Sequence, residues 1–148
     1  MPSTPLYAEM PVLEYLRFVG KVRRIPRNRL KAAIDLAVER VQIERMLKKN
    51  IAHLSKGYRQ RVGLAQALIH DPPIIIMDEP TSGLDPLAQR TVLEILHEVN
   101  RRGATVFISS HNLTEVERIC HRVGMIRMGK LIAVKEIEEV VSQRMIAI

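Results

Sequence analysis

The stretch Pro72-Pro73-Ile74-Ile75-Ile76-Met77-Asp78-Glu79-Pro80 constrains the fold of this 148-residue chain more than any other. A short apolar run bounded by prolines is too brief for a helix and suits a buried parallel strand. The run hands two adjacent carboxylates to the turn Thr81-Ser82-Gly83-Leu84-Asp85. Pro86 then opens a helical pattern with Val92, Ile95, Leu96 and Val99 inward, closed by Gly103. A strand that turns into a helix is the unit of an α/β layer, and open sheets of that kind place ligands at the carboxyl ends of their strands.

The pattern differs on the two sides of Asp71. Before it, every segment reads as helix: Pro11 suits a first helical position ahead of Val12, Tyr15, Leu16 and Val19. Leu30, Ile34, Ala37, Val38 and Val41 form a second stripe, Ile43 to Leu47 a short helix, and Ser55 to Ile69 a capped one. After it, Ala104 to Ser109 and Val123 to Met128 read as strands, with a helix capped by Asn112 between them. Gly129-Lys130 turns into Leu131 to Val134, and a last helix follows. The expected architecture is α/β: an all-helical subdomain over residues 1–70, ending in the helix that Ser55 caps, then a parallel sheet with flanking helices over 71–148.

Aromatic residues make up only 3% of the chain and Trp is absent, so the core must be aliphatic. The net charge of +7 is unevenly placed: residues 1–63 carry 14 Lys/Arg against 5 Asp/Glu (+9), and residues 64–148 carry 9 against 11 (−2). Aromatics interleaved with the cations, as base stacking requires, are missing, so nucleic acid is not the expected partner. A solvated helix face accounts for the cations, and an acidic lipid leaflet nearby is compatible with them. No apolar stretch reaches the length of a membrane span, Met1 to Pro5 does not read as a signal peptide, and the single Cys120 fits a reducing compartment.

Asp78 and Glu79 can divide labour, one holding Mg²⁺ and the other orienting or deprotonating a water. Ser55 and Gly57 stand at a helix N-terminus, where exposed N–H groups and the helix dipole favour phosphate. His111 follows Ser109-Ser110 at the end of the next strand, again on the ligand edge. His53, His70, His97 and His121 show no metal-ligand spacing and read as structural. Each feature alone has an ordinary structural explanation; their order in one chain is what points to a metal-nucleotide site.

Together these segments resemble the nucleotide-binding domain of ABC ATPases, a family with the P-loop NTPase core. Leu54-Ser55-Lys56-Gly57-Tyr58-Arg59-Gln60 is similar to the family signature, with Lys56 and Tyr58 where the commonest form has a second Gly and a Gln. Ile74 to Asp78 resembles the Walker B strand with the catalytic glutamate at Glu79, Ser82 to Asp85 the D-loop, and His111 the switch histidine. The signature variant resembles exporters of the ABC-2 type. The resemblance implies ATP and Mg²⁺ as ligands, a second ABC ATPase subunit and a membrane permease as partners, and a cytoplasmic place on the inner face of the membrane. It implies that Ser55, Lys56, Gly57, Gln60 and Asp85 serve nucleotide binding, Asp78 the metal, and Glu79 and His111 catalysis. Two alternatives remain: an incomplete module lending its signature face to a partner, and an ABC-type ATPase of DNA repair or translation.

The family's glycine-rich phosphate loop has no counterpart in these residues, nor does its Gln loop. Gly124 to Lys130 matches a looser spacing, but Leu131 stands where a hydroxyl is needed and the segment reads strand-turn-strand. The chain therefore reads as the C-terminal portion of such an ATPase, partner-dependent in fold. Calorimetric titration of the 148-residue chain with Mg-ATP is expected to show neither tight binding nor turnover; strong heats of binding would refute this.

Overall fold

The computed structural model describes residues 7–146. In order these form α1 (Val12–Val22), α2 (Arg27–Val41), 3₁₀ turns at Glu44–Met46 and Ile51–His53, α3 (Lys56–Leu68) and β1 (Ile74–Asp78). Then come α4 (Pro86–Arg101), β2 (Thr105–Ser109), α5 (Leu113–Ile119), β3 (Arg122–Arg127), β4 (Lys130–Glu136) and α6 (Ile137–Ile146). Contacts divide the chain into two compact units, Met1–Ile108 and Ser109–Ile148.

In the first unit the helical spacing of apolar residues becomes the core. Helix α1 buries Val12, Tyr15, Leu16 and Val19, and α2 buries Ile34, Ala37, Val38 and Val41. Pro11 sits one residue earlier than its helix-starting role suggests. It is the N-cap of α1, with extended backbone (φ −60°, ψ 143°), and bridges to Asn50 while the Val12 N–H donates to the Lys49 carbonyl. A Cβ on Gly20 would lie 2.2 Å from Leu30 Cδ1, so a side chain there would displace the tip of Leu30 from its place between α1 and α2. Helix α3 adds Val62, Leu64, Ala65 and Leu68, and α4 adds Val92, Ile95, Leu96 and Val99, all in one continuous aliphatic cluster with Ile75.

Strands β1 and β2 are parallel neighbours joined by the α4 crossover, and Thr105 N–H donates to the Pro73 carbonyl at 2.8 Å. Burial alternates along both strands. Ile75 is buried, and Met77, Val106 and Ile108 pack against the core. Ile74, Ile76 and Phe107 are 60%, 77% and 64% exposed. The uninterrupted apolar run thus suits burial on two faces, but among the described residues only one face is covered.

In the second unit, β3 and β4 form an antiparallel hairpin in register from Arg122↔Glu136 to Arg127↔Lys130, with a bulge between Met125 and Ile126. Its turn is Met128-Gly129, both at positive φ (50° and 73°), the backbone that a two-residue hairpin turn requires. Lys130 therefore opens a strand rather than a helix, and the Gly124–Lys130 segment offers no helix N-terminus to phosphate. Cys120 is half-buried at the end of α5, and burial pushes its thiol pKa up.

The open sheet face predicts dye binding. The isolated chain should enhance the fluorescence of a hydrophobic dye such as ANS, and Ile76→Thr with Phe107→Thr should lower that signal while the far-UV circular dichroism stays constant. An unchanged signal in the double variant would place the dye elsewhere.

Candidate functional site

Helix α3 begins where Ser55 leaves the extended region (φ −61°, ψ 161°) and its Oγ accepts a 3.4 Å hydrogen bond from Tyr58 N–H. Arg59 Nη1 donates to the Leu54 carbonyl at 2.6 Å, which ties the first turn to the segment before it. Arg61 stacks its guanidinium 4.1 Å from the Tyr58 ring centre and donates to the Gln42 carbonyl. The first turn of α3 holds no acidic residue and instead carries Lys56, a cation at the positive end of a helix dipole. Gln60, half-buried, lies four residues after Lys56 on the same side of the helix.

Asp78 ends β1 and is exposed. Glu79 does not continue the strand: its φ of +46° is left-handed, which costs a non-glycine residue about 1–2 kcal/mol. Simple strand alternation therefore stops at Asp78, and the left-handed turn decides where the second carboxylate goes. The turn is held from below by Pro80, fully buried, and Thr81, 4% exposed. Ser82 N–H donates to the Glu79 carbonyl and Leu84 N–H to the Thr81 carbonyl. Asp85 then caps α4, accepting from Leu87 and Ala88 N–H at 3.1 and 3.0 Å, with Pro86 at the first helical position.

The tertiary fold brings the start of α3 against this turn. A Cβ on Gly57 would lie 3.0 Å from Ala88 Cβ, and one on Gly83 would lie 2.2 Å from Lys56 Nζ. Lys56 thus meets the loop that runs from Glu79 to Asp85, and Gly57 meets the first turn of α4. The carboxylate of Asp85 offsets the dipole of α4, whereas at α3 the exposed amide end and Lys56 leave a local positive potential. Such a place suits an anion, and neighbouring Asp78 suits a hard cation.

His111 belongs to the second unit and is exposed in the loop before α5. A local network sets that loop. Asn112 caps α5 by accepting from Thr114 N–H at 3.1 Å, and donates through Nδ2 to Glu115 at 3.2 Å. The Ser110 hydroxyl accepts from Asn112 N–H and donates to Glu115, whose side chain is buried. The Asn112-x-x-Glu115 spacing is the sequence signal of that network. By contrast, no local signal marks the approach of Lys56 to Gly83 or of Gly57 to Ala88, residues 27 and 31 positions apart in sequence.

Elsewhere in the first unit, Tyr7, Phe18, Val22, Arg23 and Gln66 help line a cavity of about 580 Å³. Tyr15 donates its hydroxyl to Gln66 there, and burial raises the phenol pKa, with Tyr7 adding to it. His70, just past α3, has its pKa lowered by burial and by Arg23.

Comparison with known proteins gives a consistent picture. The family described as "AAA domain, putative AbiEii toxin, Type IV TA system" matches residues 25–117. The chain is 37% identical over 130 residues to the ABC transporter ATP-binding protein NatA of Bacillus subtilis, covering 88% of this chain and 53% of that protein. It is 39% identical over 127 residues to the bacitracin transport ATP-binding protein BcrA of Bacillus licheniformis, covering 85% and 40%. CbiO1 of Clostridium perfringens, part of the ABC transporter complex cbiONQ, superposes with a TM-score of 0.85 at 28% identity over 96% of this chain and 57% of that one. The chain therefore spans about half the length, or less, of the curated relatives it matches.

Gly83→Ala is expected to lower stability in urea melts by at least about 1–2 kcal/mol from the left-handed backbone alone. In a Lys56→Ala background that backbone cost should remain while the contact with the ammonium disappears, so any excess over it should vanish. Equal stability of Gly83→Ala and wild type would refute the geometry of the turn.

Proposed function

The chain belongs to the ATP-binding proteins of ABC transporters, and from that premise we propose that it works in a composite nucleotide site shared with a second ATPase domain. The observation that carries this reading is the meeting of the α3 N-terminus with the Glu79–Asp85 turn, directly after Asp78. Ser55, Lys56, Gly57 and Gln60 offer a hydroxyl, an ammonium, close backbone and an amide to the terminal phosphate of ATP held by the partner. Asp85, which lies in sequence between the Gly83 and Ala88 that meet α3, couples the two halves.

The residues also fit Mg²⁺ in the way this ion is bound beside phosphates. Asp78 would hold the ion, with the remaining positions left to phosphate and water; among the described residues no three metal-ligating side chains cluster. When bound, the ion neutralises developing phosphate charge. Glu79, turned off the strand by its left-handed backbone, orients and polarises the attacking water, and His111 reads the terminal phosphate. Among the described residues no helix is long and apolar enough to cross a membrane. The similarity to ABC transporter ATP-binding proteins supports a link to transport through a permease on the cytoplasmic side.

Ser55 offers a clean test, because Asp and Asn both replace Ser as an N-cap without loss of the helix. The assay is ATP turnover by this chain mixed with a full-length relative whose own signature serine has been replaced. Wild type and Ser55→Asn should restore turnover, and Ser55→Asp should lower it at least about tenfold, since an added carboxylate repels phosphate. Equal rescue by Ser55→Asp and wild type would exclude the composite site, and no rescue by wild type would favour a purely regulatory module.

A further inference from the structure

The loop before α5 is tied more heavily than a helix cap requires. Asn112 is the N-cap and Glu115 stands at the third helical position, the spacing of a capping box. In that motif the acid turns back to the N–H of the cap residue, and the bonding ends there. Here the Asn112 N–H donates to the Ser110 hydroxyl instead, at 3.0 Å. The Glu115 carboxylate reaches past it. One oxygen accepts from Asn112 Nδ2 at 3.2 Å and the other from the Ser110 hydroxyl at 3.4 Å. Asn112 thereby uses all its polar groups, since its Oδ1 accepts from Thr114 N–H and its carbonyl from Glu115 and Val116 N–H.

These bonds close around one residue. Ser110 and Asn112 flank His111, and the same carboxylate holds both. His111 is itself exposed, so burial of its own side chain does not orient it. Glu115, by contrast, is only 8% exposed. Taking a carboxylate out of water is costly unless it is well bonded, and a cap alone does not demand it. The cost is met by donors on the two sides of His111.

We propose that Glu115 is a positioning residue for His111, clamping the backbone before and after it so that the imidazole is presented in one direction. This rests on the reading of His111 as the group that meets the terminal phosphate, and adds where the geometry of that histidine comes from. Misplacement of a contacting group by about 1 Å can cost about a hundredfold in rate, and exposed loops move within about nanoseconds to microseconds, so a surface histidine needs such support.

Two substitutions separate the clamp from the cap. Asp serves as an N-cap as well as Asn does, so Asn112→Asp keeps α5 while setting a second negative charge against Glu115. Adding Glu115→Gln restores the pair with reversed polarity: the amide it introduces donates to residue 112 and its carbonyl still accepts from Ser110. The readout is backbone amide relaxation by NMR on the labelled 148-residue chain. The order parameter at His111 should be about 0.85 in wild type, fall below about 0.6 in Asn112→Asp and recover in the double variant. The Cα chemical shifts of Leu113–Ile119 should stay helical throughout. An unchanged His111 in Asn112→Asp would overturn the proposal, as would failure of Glu115→Gln to restore its order. Melting of α5 together with the loop would also overturn it and leave Glu115 a helix-stabilising residue. No nucleotide enters this measurement, so its outcome is separate from the turnover assay on Ser55: exclusion of the composite site there would remove the phosphate role of His111 and leave the clamp standing.

Discussion

The close approach of two helix N-termini, those of α3 and α4, is what the site depends on. It is possible because Gly57 faces Ala88 with no bulk between them and because Gly83 leaves room for the Lys56 side chain. Behind this contact Val62, Leu64 and Ala65 of α3 and Val92, Ile95 and Leu96 of α4 belong to one aliphatic core, all at most 3% exposed. Truncating a residue of that kind typically costs about 2–5 kcal/mol, so the core sets the distance and the glycines permit it. The result is a positive helix end beside a carboxylate-bearing turn, a pairing of opposite potentials that suits phosphate and a divalent cation together.

The turn itself is strained where chemistry is proposed and supported where it is not. Glu79 is left-handed, while Pro80, Thr81 and Leu84 around it are buried and Asp85 is satisfied by two backbone N–H groups. A residue held in an unfavourable conformation persists only when its surroundings over-determine it. The same strand shows the opposite economy on its outer side, where Ile74 and Ile76 lie open beside Phe107 of β2. A parallel sheet is ordinarily covered on both faces, which is why the run reads as continuously apolar and yet is half-exposed here.

Much of this was legible from local pattern. The stripes of α1, α2 and α4 are at helical spacing, so their buried faces followed from periodicity alone. Ser55, Asp85 and Asn112 each cap a helix as their residue types suggest. The Met128-Gly129 turn made Gly124–Lys130 a hairpin rather than a phosphate loop, as its strand-turn-strand character implied. Less legible were Pro11, drawn out of its helix by pairing with Asn50, and Glu79, whose left-handed backbone no neighbour in sequence announces. Both depend on segments distant in the chain or on burial of the residues that follow.

The sequence by itself determined the elements, their order and the chemical inventory of the site, because periodicity, caps and turn residues act over a few positions. The order of the motifs also sufficed to indicate the family to which the chain belongs. Only the tertiary structure decided that Lys56 and Gly57 meet Gly83 and Ala88, and that one face of the β1–β2 ladder is open. Those are distances between segments far apart in sequence, and they are set by how the aliphatic core packs.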